Sequence, residues 1–195
     1  MRASNRRLSI LASAAPIFNR RGFSGTSISD ILTATDLEKG GLYNHFTSKE
    51  ELAIATFDYA FKQVDAYFTK ALAGTESGLP RLRAYVDAFE RYIERPVVNG
   101  GCPIANATLE ADDALPFLRD RIATAFANMR GYLMRNIERG REKKHFRSDV
   151  DPEATADFII SALEGALLLS RGMRSRTPVK HVLALLRAWV EGLAA

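Results

Sequence analysis

Apolar residues recur at helical spacing along almost the whole chain. The first such stripe consists of Leu8, Leu11, Ala12, Ala15 and Phe18. Residues separated by three or four positions lie on one face of an α-helix. Runs of alternating β-branched and polar residues, which would predict strands, are nearly absent. The pattern therefore predicts an all-α protein.

Glycine and proline mark where the predicted helices begin and end. Gly22 and Gly74 follow the first and fourth helices, and five prolines stand at or near helix starts, where a missing N–H costs little. Ser48 and Glu51 match the capping-box pattern at the start of the fourth helix. We expect about nine helices, near residues 4–21, 27–35, 39–46, 48–73, 80–95, 103–112, 115–144, 152–172 and 178–193.

Helix length divides the chain into two parts. Three short helices fill the amino-terminal end and longer helices fill the rest, so we expect one unit at residues 1–47 and a larger body at residues 48–195. Within the first unit, two short helices joined by a three-residue turn predict a helix-turn-helix. Asp36 stands at the turn and tolerates a left-handed backbone conformation.

The second helix of this motif opens with Lys39, Gly40 and Gly41. Each glycine inside a helix costs about 1 kcal/mol relative to alanine. Without side chains, however, the backbone can approach a groove floor or a phosphate closely. The two glycines therefore favour a contact surface at the start of this helix.

Composition and charge add two constraints. The chain has 195 residues, 47% hydrophobic and 26% charged, which is typical of a water-soluble globular protein, and no apolar run approaches the roughly 20 residues that span a bilayer. A single cysteine, Cys102, excludes an intramolecular disulfide and agrees with the reducing cytoplasm. The first 50 residues hold seven Lys and Arg against four Asp and Glu, which favours a polyanion-binding amino-terminal unit.

The first 52 residues also carry a specific combination of motifs. Residues 39–46 read Lys-Gly-x-Leu-Tyr-x-His-Phe, and residues 48–52 read Ser-Lys-Glu-x-Leu. Together with residues 22–31, these blocks resemble the DNA-binding domain of the TetR/AcrR family of transcriptional regulators. Asp36 stands where that family most often has glycine. The resemblance covers about a quarter of the chain and implies an all-α, dimeric regulator that binds double-stranded operator DNA.

The resemblance also implies roles for individual residues. It places the helix that opens at Lys39 in the major groove, where Lys39, Gly40 and Gly41 lie near bases or backbone. Thr26 and Ser27 are expected to cap the preceding helix and to bind a phosphate. Phosphate contacts are further implied for Tyr43, His45 and Lys49.

The last two helices are the candidates for a dimer interface. Residues 158–169 are apolar nearly all round, as expected of a helix buried on two sides, and the final helix carries a long apolar stripe. Two such helices from each copy would form a four-helix interface, which is the usual dimerisation surface of the family. An ordinary monomer core is the alternative. The candidate interface residues are Ala162, Gly165, Ala166, Leu169, Leu186 and Trp189.

A ligand site is less visible in the sequence. The resemblance implies a cavity among the middle helices that binds a small, mostly apolar inducer. Cys102 directly precedes a predicted helix start, where a thiolate is favoured, and residues 99–110 resemble a TetR subgroup that includes electrophile- and redox-responsive repressors. A buried, inert thiol is the alternative. The candidates for sensing or ligand contact are Cys102, Asn106, Phe89, Tyr92 and Phe126, and each aromatic is alternatively a core residue.

The sequence gives little support to an enzyme. His45, His145 and His181 are far apart, and neither a nucleophile elbow nor a phosphate-binding loop is present. The acidic pair Asp112 and Asp113 points to two helix faces. We therefore expect no cofactor, no metal and no membrane contact, and a cytoplasmic repressor released from a palindromic operator by an inducer or by modification of Cys102. A constitutive regulator or activator without small-molecule control is the alternative.

Overall fold

The computed structural model describes residues 2–111 and 115–195, with side chains described from residue 5. The acidic pair Asp112 and Asp113 lies outside the described residues. Within that part of the chain the protein is all-α, as predicted, and an isolated bridge joins Phe146 to Ala194. The helices are α1 (Arg2–Arg21), α2 (Ile28–Thr35), α3 (Lys39–Tyr43), α4 (Lys49–Ala71), α5 (Leu79–Glu94), α6 (Pro103–Ala111), α7 (Pro116–Glu142), α8 (Pro152–Gly172) and α9 (Thr177–Glu191).

The chain forms two compact units. The first unit comprises residues 1–66 and 96–125, and the second comprises residues 67–95 and 126–195. The first therefore holds α1 to α3, most of α4, α6 and the beginning of α7. Because α6 packs against α1 inside this unit, the division into compact units does not coincide with the predicted domain boundary at residue 47. That boundary remains a prediction.

Local hydrogen bonds explain where α2 begins and ends. Ser27 Oγ accepts the N–H of Asp30, and the Asp30 carboxylate accepts the backbone N–H of Ser27, which completes a capping box. The helix ends at Asp36, whose φ of 50° and ψ of 49° are left-handed. This confirms the turn conformation that the sequence predicts. Ile31 is fully buried beneath the motif.

The predicted capping box of α4 forms only in part. Ser48 Oγ accepts the N–H of Glu51 at 3.1 Å. The Glu51 carboxylate, however, binds one residue further back, where it accepts the backbone N–H and the hydroxyl of Thr47, each at 2.7 Å. The backbone N–H of Thr47 lowers the pKa of Glu51 below its ordinary value, with further contributions from the Thr47 hydroxyl and Arg7.

The core of the second unit lies where α8 and α9 pack on each other and on α5. Arg187 on α9 binds Asp87 and Glu90 on α5, and Arg130 on α7 binds Asp157 and Glu153 on α8. The buried apolar residues of this core include Leu82, Val86, Phe89, Leu133, Ile137, Ile159, Leu163, Ala166, Leu183, Leu186 and Val190.

None of the helices in the described part of the chain is both long enough and apolar enough to cross a bilayer.

Candidate DNA interface

The start of α3 is exposed to solvent. Lys39 and Gly40 are exposed, and a Cβ built on Gly40 would have no neighbour within 4 Å. A Cβ on Gly41 would lie 3.2 Å from Leu37 Cδ2, which is tighter than ordinary van der Waals contact. Gly41 therefore has a reason within the fold, whereas nothing inside the described protein requires glycine at position 40.

The rest of α3 and the turn that follows it have a buried side and an exposed side. Leu42 and Phe46 are buried, as predicted, and anchor the helix to the first unit. Tyr43 is 40% exposed and His45 is half-buried. Lys39 and Tyr43 are four residues apart and so lie on the same helix face. The geometry leaves both side chains accessible on one surface.

Only one of the two predicted cap residues caps α2. Ser27 makes the capping box, whereas Thr26 is buried and its hydroxyl donates to Gly22 O at 2.6 Å. The prediction that Thr26 caps this helix is therefore wrong, and its hydroxyl is not exposed for a phosphate. The hydrogen bonds from Ser27 lower the pKa of Asp30, and Arg21 adds to this effect.

The turn between α1 and α2 is held by two charged side chains from other helices. The carboxylate of Glu110 on α6 accepts the backbone N–H groups of Phe23 at 2.6 Å and Ser24 at 3.3 Å. The ammonium of Lys49 on α4 donates to Phe23 O at 2.8 Å. We call this arrangement the Glu110–Lys49 brace. It fixes the peptide that leads into the helix-turn-helix.

Gly22 is required where the brace meets α1. Its φ is +75°, which favours glycine, and a Cβ there would lie 2.2 Å from Glu110 Oε1. Sequence reasoning did not find Glu110 in this role, because Gly22 alone signals only a helix end. An ammonium carries three donors, so a phosphate contact by Lys49 remains a prediction.

Two of the sensing candidates lie in the first unit. Cys102 is buried directly before α6, and its carbonyl oxygen accepts the N–H of Asn106 at 3.1 Å. The Asn106 amide donates to Asn19 O at 2.9 Å, to Asn19 Oδ1 at 2.7 Å and to Gly100 O at 2.8 Å. Asn106 therefore ties α6 to α1, and a ligand contact by either residue remains a prediction.

The aromatic candidates lie in the second unit. Phe89 and Tyr92 are buried, with ring centroids 6.4 Å apart, and both rings lie near Phe68. Phe126 is half-buried. The structure thus places Phe89 and Tyr92 in the core, the alternative that the sequence leaves open. Their contact with an inducer stays a prediction.

The last two helices expose a row of large apolar side chains. We call Phe158 and Leu169 on α8, Met173 directly after it and Leu185 on α9 the α8–α9 face. Leu169 is 54% and Leu185 is 72% exposed. The rings of Phe158 and Trp189 pack with centroids 4.4 Å apart, which joins the two helices at this face.

The small residues predicted for close approach divide between this face and the core. Ala162 and Gly165 are half-buried, and a Cβ on Gly165 would have no neighbour within 4 Å. Ala166 and Leu186, however, are buried in the core of their own unit. Each is only 2% exposed within a single chain, so the prediction that they lie at an interface is corrected.

Comparison with known proteins agrees with these features. A family model described as bacterial regulatory proteins, tetR family, matches residues 10–56. A second, described as Tetracyclin repressor-like, C-terminal domain, matches residues 78–186. Together the two matched regions span most of the chain.

Individual relatives are similar over nearly their whole length. The HTH-type transcriptional repressor DhaR of Mycobacterium sp. is 29% identical over 170 residues, which is 87% of this chain and 84% of DhaR. An uncharacterized HTH-type transcriptional regulator of Mycobacterium tuberculosis is 31% identical over 91% of this chain and 90% of its own length. The crystal structure of a TetR transcriptional regulator from Chloroflexus aurantiacus superposes with a TM-score of 0.94 at 39% identity, covering 100% of this chain and 98% of that chain.

Proposed function

Because the chain belongs to the TetR family of bacterial transcriptional regulators, we propose that it is a dimeric repressor that occupies a palindromic operator and leaves it when an inducer binds. Its relatives are DNA-binding regulators and not enzymes, so the chain is a regulator and not an enzyme. Repression, the dimer, the inducer and action in the cytoplasm are the proposed parts.

The exposed start of α3 carries the proposal for DNA reading. Gly40 is an open glycine in the first turn of a helix, beside the exposed side chains of Lys39 and Tyr43. A backbone without Cβ admits close approach of a groove, and a cation and a phenol on the same face supply phosphate contacts. Base-edge contacts from this helix would select the sequence, and the phosphate contacts would fix its register.

The α8–α9 face supports a second copy of the chain as the partner. Helix-turn-helix proteins read two half-sites through a two-fold axis, and an exposed row of large apolar side chains marks an interaction surface. Phe158, Leu169 and Leu185 supply that row here. Gly165 leaves room for another helix against the middle of α8.

Selection of bound fragments from a random pool of duplex DNA tests this function directly. We expect a palindromic sequence whose half-sites are read by two copies of α3. The matched control is the Lys39→Ala, Tyr43→Ala double variant, which keeps the buried anchors Leu42 and Phe46. Enrichment of a site without two-fold symmetry, or equal enrichment by the double variant, would contradict the proposal.

Release from DNA is the second part of the proposal, and Cys102 is one candidate for its trigger. The thiol is buried directly before α6. Alkylation with N-ethylmaleimide should lower operator affinity in the wild type and leave Cys102→Ser unaffected. If the native protein is not alkylated, the trigger is not this thiol, and a small-molecule inducer remains the proposed signal. A regulator insensitive to both would be a constitutive one.

A further inference from the structure

A small cavity, partly open to solvent, lies in the first unit where α1, α4 and α6 meet. Its water-accessible volume is about 30 Å³. The walls combine aromatic rings, among them Phe23 and Phe57, with the polar side chains of Asn19, Thr56 and Glu110. A volume of about 10–15 Å³ on this measure holds one water molecule. The cavity therefore has room for a molecule of one to three heavy atoms.

The hydroxyl of Thr56 is the unusual member of this lining. Thr56 is 2% exposed, and its Oγ1 has no hydrogen-bond partner within the described protein. Other helical threonines donate to the carbonyl four residues earlier, as Thr33, Thr108 and Thr124 do at 2.7–3.0 Å. A buried hydroxyl without a partner is costly, so its hydrogen bond is expected to go to a molecule in the cavity.

We propose that this cavity is a binding site for a small neutral molecule that bears a hydroxyl or carbonyl group and hydrogen-bonds Thr56. Water and one- or two-carbon alcohols or aldehydes share this chemistry. The molecule is neutral for two reasons. The aromatic walls penalise a charge, and Glu110, the one carboxylate among the described residues of the lining, already accepts two backbone N–H groups.

The site adjoins the Glu110–Lys49 brace. Thr56 contributes to the α4 wall, and Glu110 contributes to the α6 wall while holding Phe23 and Ser24. A bound molecule therefore fills the space beside the carboxylate that fixes the turn into the helix-turn-helix. Occupancy stiffens this turn, and an empty site leaves the turn less well supported. The consequence for DNA rests on the proposed function, whereas the site itself does not.

The test replaces Thr56 by valine, which keeps the shape of the side chain and removes the hydroxyl. Thr108→Val is the matched control, because Thr108 is half-buried in the same unit and donates within its own helix. If the site is occupied, Thr56→Val loses a hydrogen bond and the melting temperature falls by about 2–4 °C relative to the wild type, a fall similar to that of Thr108→Val, which loses its own helical hydrogen bond. If the cavity is empty, deleting an unpartnered hydroxyl raises the melting temperature, and this result overturns the proposal.

NMR of the full chain distinguishes the occupants. A water molecule gives a nuclear Overhauser effect to the methyl group of Ala60, which lines the same cavity and is kept in the variant, and ethanol, added as the organic probe, gives a saturable shift of the same signal. Either signal supports the site, and loss of both in Thr56→Val confirms its location. Absence of both signals in the wild type overturns it.

Operator affinity is a separate readout. We expect Thr56→Val to bind the selected operator several-fold more weakly than Thr108→Val. Because the thermal and NMR measurements need no DNA, failure of the proposed function would leave them intact.

Discussion

At the scale of single residues, neighbouring glycines have different reasons to be glycine. Gly41 is limited by Leu37, whereas Gly40 has open space around its Cα. A helix gains about 0.5–1 kcal/mol when a glycine in its interior becomes alanine without a clash. Glycine at position 40 therefore makes the protein less stable than alanine would, although the fold has room for alanine there.

Gly40→Ala should separate stability from DNA binding. We expect a gain of about 0.5–1 kcal/mol in the free energy of unfolding, because the new methyl group meets nothing in the protein. Operator affinity should fall at the same time, because the methyl group would stand between α3 and the groove. Urea denaturation and a gel shift at constant salt measure the two effects.

Gly131→Ala is the matched control for this variant. Gly131 lies within α7, and its Cβ would meet only the flexible end of Arg135, at 3.0 Å. The control should gain stability and leave DNA binding unchanged. If Gly40→Ala keeps full operator affinity, the groove does not approach the start of α3.

At this scale, the sequence could predict features set by neighbouring residues but not contacts between residues far apart in the chain. The left-handed turn at Asp36 followed from local residue preferences and is confirmed. Glu110 could not be found that way, because it binds Phe23 across 87 positions and no periodic pattern reports such a pair. The cap at Thr26 was wrong because two hydroxyl residues stand side by side, and only the three-dimensional path of the chain decides which one caps.

At the scale of elements, helix existence and type were predictable, and the chemistry of the helix ends was less so. All the described helices match predicted ones, with ends that differ by at most three residues. A long apolar stripe identifies a helix even where single residues at its ends are ambiguous. For α4, Ser48 acts as predicted, yet the Glu51 carboxylate binds Thr47. For α2, the box of Ser27 and Asp30 went unpredicted, because Asp replaces the usual Glu or Gln.

Ser27→Ala should destabilise the protein in a pH-dependent way. The pKa of Asp30 lies below its ordinary value of 3.8, chiefly because of the Ser27 hydroxyl. A carboxyl with a lowered pKa in the folded state contributes stability above pH 3.8 and loses it as the pH falls through the lower folded value. We expect the variant to lose about 1 kcal/mol at pH 7 through loss of the cap. Its deficit should shrink below pH 4.

Ser29→Ala controls for the change of residue type. Ser29 is an exposed position on the same helix, so its replacement should leave stability nearly unchanged at every pH. Guanidinium unfolding of both variants between pH 7 and pH 3 measures the difference. A deficit in Ser27→Ala that is independent of pH would show that Asp30 does not depend on Ser27.

At the scale of the whole molecule, the proposed dimer depends on the α8–α9 face. Leu169 is 54% exposed on this face, near the carboxyl end of α8. Leu169→Glu would place one carboxylate from each copy in the apolar interface, where burial of the unpaired charge and like-charge repulsion oppose association. We expect the dimer dissociation constant to rise at least about 100-fold, which corresponds to about 2.7 kcal/mol. Sedimentation velocity measures this change.

Leu109→Glu is the matched control for the dimer. Leu109 is 69% exposed on α6 in the first unit, away from the α8–α9 face in sequence and in unit. It should leave the dissociation constant unchanged. If Leu169→Glu and the wild type have equal masses in solution, the interface lies outside the α8–α9 face. The sequence predicts this interface on α8 and α9, but it could not tell Ala166 and Leu186 from their exposed neighbours, since a helix that is apolar all round does not show which side faces the core.

The first unit is built from two stretches of chain that are separated by residues 67–95. On the ribosome, α1 to α3 therefore emerge well before Glu110, which closes the turn after Gly22. Domains generally fold as units during synthesis. The first unit therefore completes its packing only after α6 and the beginning of α7 have been translated. A nascent chain arrested after residue 66 should accordingly remain open to protease near Phe23, and one arrested beyond α6 should resist cleavage there.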